Sequence, residues 1–142
     1  MLTTVSALTQ EAPLNVAAVR HPVTGTTVVF SNHGSNLIDV WEQPASGGAL
    51  NLIRSVPAVT GNYHYSIRSS SPSEVVLHYH GPQRGIGGSY TIPVTASGST
   101  LIVGDSKKIS VFSNATKLIW LPAANAWAFY SFSPFNRCWV TP

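Results

Sequence analysis

Five histidines and five acids are all that this 142-residue chain offers for acid–base or metal chemistry. One pair is spaced for joint work. His78-Tyr79-His80 puts two imidazoles on one face of an extended strand, because strand side chains alternate with a period of two. His64, on the preceding predicted strand, could stand beside them. Two or three neutral imidazoles on a sheet face form a nitrogen set that zinc or another transition metal accepts. His64, His78 and His80 are therefore the candidate metal ligands. The competing reading is a set of ordinary hydrogen-bonded histidines at a sheet rim, and no cofactor is expected.

Catalysis by carboxylate or nucleophile has less to work with. Asp39 and Glu42 are the only close acidic pair, and three residues apart on a strand they face opposite ways. Glu11, Glu74 and Asp105 are isolated. No Gly-x-Ser-x-Gly elbow occurs. Gly85-Ile86-Gly87-Gly88 lacks the Lys-Ser/Thr of a P-loop and reads as a hairpin loop. The lone Cys138 excludes an internal disulfide framework and reads as a small buried hydrophobe. No catalytic residue is assigned, and a non-enzymatic protein is expected.

Aromatic residues are the other candidates. Trp120, Trp127, Tyr130, Phe135 and Trp139 crowd the last quarter of the chain, with Asn125, Asn136 and Arg137 among them. An open indole stacks on the apolar face of a pyranose, and neighbouring amide or guanidinium groups meet its hydroxyls. Trp120, Trp127, Tyr130, Trp139, Asn125 and Arg137 would form such a carbohydrate platform. The same alternation also predicts that these rings fill a core between two sheets.

The elements that must position these residues are strands. Period-two patterns run through 26–30, 37–41, 63–67, 75–80, 90–95, 101–103, 109–112, 118–121, 127–132 and 138–140, separated by clusters rich in Gly, Pro, Ser and Asn. About ten short strands with regular turn signals indicate an all-β chain, a single-domain β-sandwich or jelly roll of antiparallel strands. The stretch Val5 to Val19 is broken by Pro13 and lacks a helical period. Residues 1–13 read as an extended N-terminal arm and residues 14–142 as the sandwich domain.

Charge sets the surface. A soluble domain of this length carries about 35 charged residues; this chain has eight basic and five acidic ones. That scarcity argues against a coiled coil, a charged disordered tail or a long amphipathic surface helix. The basic residues are scattered apart from Lys107-Lys108, so the clustered footprint of a nucleic-acid binder is missing. No apolar run reaches the ~20 residues of a spanning helix, and Met1-Leu2-Thr3-Thr4 does not read as a secretory signal. Neither nucleic acid nor membrane is an expected partner. Arg20, Arg54, Arg68, Glu74, Arg84, Asp105 and Lys107-Lys108 fall at predicted strand ends or in turns. The outward strand faces are thus expected to be uncharged. Low charge favours association between copies, and an uncharged polar surface desolvates more cheaply than a charged one.

Two resemblances bear on function. His78-Tyr79-His80 resembles the His-x-His strand of the cupins, but the downstream acid is Asp105 alone and no histidine follows His80. The hairpin turn Ser31-Asn32-His33-Gly34-Ser35-Asn36, with Ala96-Ser97-Gly98-Ser99-Thr100 leading into Leu101-Ile102-Val103, is similar in style to small β-sandwich proteins of tailed-phage virions. Those are capsid decoration (cement) proteins and fibre tips. This second resemblance implies a structural protein made in the host cytoplasm and placed on the virion surface. There it would bind and stabilise a capsid lattice as a dimer or trimer, with the capsid protein as partner. A carbohydrate-binding lectin or receptor-binding fibre tip is the alternative, with glycans as partner; a cupin-like metal site is the third.

Overall fold

A computed structural model describes residues 16–33, 36–58, 65–68, 71–80, 89–110, 115–131 and 137–140. β-Branched and aromatic residues dominate these segments, and they form strands. The first sheet holds β1 (Val16–Arg20), β2 (Thr27–His33), β3 (Leu37–Gln43) and β4 (Asn51–Pro57), in that order. The second holds β5 (Tyr65–Arg68), β6 (Val75–His80), β7 (Ser89–Ser97) and β8 (Thr100–Val103), with β9 (Lys107–Ser110) also on β7. A third, smaller sheet orders β10 (Ala115–Leu121), β11 (Ala126–Ser131) and β12 (Arg137–Val140). All pairings are antiparallel. The all-β expectation holds, and among the described residues there is no α-helix.

Apart from β9, which returns to β7, consecutive strands are neighbours in every sheet, so the chain meanders through one layer before entering the next. A jelly roll would interleave strands between its sheets; this order is that of a sandwich. Val28, Phe30, Ile38, Val40 and Val56 from the first sheet meet Val75, Leu77, Tyr79, Ile92, Val94, Leu101 and Val103 from the second in one buried cluster. The two layers are edge-matched as well, with β1 against β5 and β4 against β8. Each fully buried Leu, Ile or Phe contributes about 1.5–3 kcal/mol, so this cluster is what holds the sheets together.

Turn chemistry follows residue type. Ser97 and Thr100 pair directly across a two-residue connection, and Gly98 there has φ +61°, as primed hairpin turns require. Asn125, after the 3-10 turn Pro122–Ala124, has φ +49° and returns its N–H to Pro122 O at 3.2 Å. Asn tolerates the left-handed region because its short amide can bond locally.

Three expectations need correction. β1 and β4 are strands that the ten-strand series omits. β4 escapes the alternation rule because its pairing with β3 shifts between Val40 and Trp41: Arg54 faces Val40, Leu52 faces Trp41, and Ile53 is the extra residue. A bulge of this kind inverts the in–out phase, leaving Leu52 exposed and Ile53 packed on the core. Lastly, Arg54 stands in the middle of β4, whereas Lys107–Lys108 opens β9, a strand end as expected.

Candidate functional site

The β10–β11 hairpin gathers part of the aromatic set. Trp120 and Trp127 are cross-strand partners, with ring centres 5.4 Å apart and planes at 66°, an edge-to-face contact. Trp127 is buried, and its Nε1 donates to Glu74 Oε1 at 2.7 Å. Glu74 is itself oriented by the turn before β6. The buried Ser71 Oγ accepts the N–H groups of Ser73 and Glu74 at 3.2 and 3.1 Å. The Trp127 indole is therefore a brace between the third sheet and the start of β6. Trp120 remains half-buried, and Asn125 is exposed at the hairpin tip.

The register sorts the other platform candidates. Position 129 pairs with 139, 130 with 138, and 131 with 137. Alternation then puts positions 137 and 139 on the face that carries Trp127, and position 130 on the opposite face. The side chains of Tyr130, Arg137 and Trp139 lie outside the described residues.

The histidine set divides differently. His78 pairs with Ser66 and Thr91 in the middle of the second sheet and is 1% exposed. It lies on the face away from Leu77 and Tyr79, where Val76 and Thr91 are buried too. His80 pairs with Ser89 at the end of β6, its side chain outside the described residues, as is all of His64. Among the described residues, no group of three His, Cys, Asp or Glu side chains could hold a metal ion.

Other polar contacts join the strands and layers, and the one at His21 has no counterpart among the candidates read from the sequence. His21 is fully buried; its Nε2 lies 2.9 Å from Val94 O, and its Nδ1 accepts the Val23 N–H at 3.2 Å. With Nδ1 accepting, the ring proton sits on Nε2 and is donated across the sandwich. Tyr79 stacks on Tyr90 at 5.3 Å, and its hydroxyl shares a 2.5 Å hydrogen bond with Ser106. Asp39, in the middle of β3, accepts from Ser55 Oγ at 2.6 Å, while Ser31 Oγ accepts from Trp41 Nε1 at 3.0 Å. Glu42 accepts from Thr26 Oγ1 at 2.7 Å. Asp39 and Glu42 do face apart, and each has a structural partner. No sequence signal marks His21; the isolation of Glu74 in a charge-poor chain was the one available hint for that brace.

Exposed apolar side chains cluster at the sheet borders. Val16 on β1, Leu52 on β4, Ile102 on β8 and Ile119 on β10 are 52%, 51%, 50% and 45% exposed. Each sits on an outermost strand of its described sheet. Such strands usually carry charge or proline that discourages pairing, yet β8 has no charged residue at all.

Compared with protein-family models, curated proteins and solved structures, the chain matches none. No helix among the described residues is long and apolar enough to cross a membrane.

Proposed function

We propose that this is a non-enzymatic structural protein that works in repeated copies against other protein surfaces, as a capsid decoration protein on a virion. The observation that supports this most is the half-exposed Val16, Leu52 and Ile119 on the border strands β1, β4 and β10, in a chain with thirteen charges. Surfaces of that kind lose little hydration energy on contact and gain apolar burial. The described carboxylates fit the same reading, since Asp39, Glu42, Glu74 and Asp105 each hold a neighbouring side chain.

Light scattering at micromolar concentration tests the multi-copy part: a stable dimer or trimer is expected, and a strict monomer would count against it. Mass spectrometry of purified source particles tests the virion part. A copy number comparable to that of the major capsid protein is expected for decoration, and absence from the particle sinks it.

A carbohydrate-binding reading rests on the half-buried Trp120 beside the exposed, uncharged tip Pro122–Asn125. Its test is glycan binding that Trp120→Ala or Asn125→Ala abolishes while the thermal transition is kept. Trp127→Ala is the poorer probe, because the Glu74 brace goes with the ring.

A further inference from the structure

β8 and β9 form one continuous border of the second sheet, since both pair with β7. Their junction is a bulge. Val103 stands opposite Val94 and Lys107 opposite Thr91, so four steps on one side match three on the other. Gly104 sits in that junction, its N–H donating to Pro93 O at 2.8 Å. This bond, one residue beyond the Val94–Val103 pair on each strand, makes that pair a non-hydrogen-bonded one. The N–H and C=O of Val103 therefore point off the sheet, and those of Leu101, two residues earlier, point the same way.

The two halves of this border are treated differently. The β9 half carries Lys107 and Lys108, both exposed, and lysine on a border strand discourages further pairing. The β8 half, Thr100–Val103, has no charge and presents Ile102 half exposed. What stands over it is Arg54 from β4. The guanidinium donates through one nitrogen to Val103 O at 2.9 Å and through the other to Asp105 Oδ1 at 2.5 Å. Arg54 thus occupies an acceptor that an added strand would need, and Asp105 fixes it there. The occupant this border suits is its own copy. Two Thr100–Val103 segments can meet antiparallel about a two-fold axis, a self-complementary contact in which no charge opposes its like.

We propose that Arg54 is an edge strap: laid over Val103 O and pinned by Asp105, it keeps β8 from pairing with the β8 of a second copy. This stands apart from the virion reading, because the reference is whatever assembly the wild-type chain forms. A protein that already works in several copies gains from it all the same, since a further two-fold contact on each copy would join finished assemblies to one another.

The test is sedimentation of the full chain over a concentration series. Arg54→Met keeps the aliphatic stem and removes the guanidinium. The expected result is a weight-average mass that climbs above wild type with concentration and returns to it when Ile102→Lys is added. Unchanged sedimentation of an Arg54→Met protein that still unfolds cooperatively overturns the proposal. Growth that Ile102→Lys leaves in place overturns it as well, because another surface is then responsible. Should Arg54→Met lose its cooperative transition, Asp105→Ala removes the pin without touching β4, and the same readings apply to it.

Discussion

At the scale of single residues, the sandwich depends on a few polar groups with fixed partners. His21 is the clearest. Its ring bridges Val23 N–H and Val94 O from a fully buried position, so His21→Ala leaves a cavity and removes both bonds. A loss of about 2–4 kcal/mol is expected, read as a lower urea midpoint at an unchanged slope. Trp127 and Glu74 form a second pair. Hydrogen bonds to charged groups contribute about 1.5–3 kcal/mol, and a double-mutant cycle of Trp127→Phe with Glu74→Met should return a coupling near the lower end of that range. Near-zero coupling would mean that the 2.7 Å contact does not hold the third sheet. Gly104 is a steric case. A Cβ built there lies 2.8 Å from Pro93 Cγ, so Gly104→Ala must push the β8–β9 junction outward. A destabilisation of about 1–3 kcal/mol is expected by thermal melting.

At the scale of elements, burial on two faces separates central strands from border strands. β6 is buried on both sides, through Val75, Leu77 and Tyr79 on one and Val76 and His78 on the other. β8 alternates between exposed and buried. Leu77→Ala should therefore cost about 2–5 kcal/mol, whereas Ile102→Lys should stay within about 0.5 kcal/mol of wild type. Equal losses at the two sites would contradict the layer arrangement. The same contrast limits what could be read from sequence. Strands such as Thr27–His33 and Val75–His80 are legible because short β-branched and aromatic runs bounded by turn residues mark a strand. β4 is not, since its bulge swaps the phase between Leu52 and Val56. Val16–Arg20 reads as Val-Ala-Ala-Val-Arg, where small residues blur the pattern on an outermost strand.

At the scale of the whole molecule, scarcity of charge is the governing property. Contacts between copies that rest on apolar borders respond little to ionic strength, because screening acts on charges. Light scattering in low and high sodium chloride should give the same assembly mass, and sulfate should strengthen association by favouring burial. Dissociation on adding moderate sodium chloride would show that the few charges, not the apolar borders, carry the contact.

The candidate site was only partly legible. The clustering of Trp120 and Trp127 follows from their place on either side of a short turn, so sequence could foresee that they meet. It could not foresee that Trp127 is turned toward Glu74, because that residue is brought up from another sheet by 53 positions of intervening chain. By itself the sequence determined the all-β class, most strand positions and the thinly charged surface, since alternation and composition act locally. Only the tertiary structure decided which faces are covered, that His21 ties the two layers, and that Arg54 lies across β8. Those outcomes depend on residues far apart in the chain meeting across layers, and neither period nor spacing encodes such meetings.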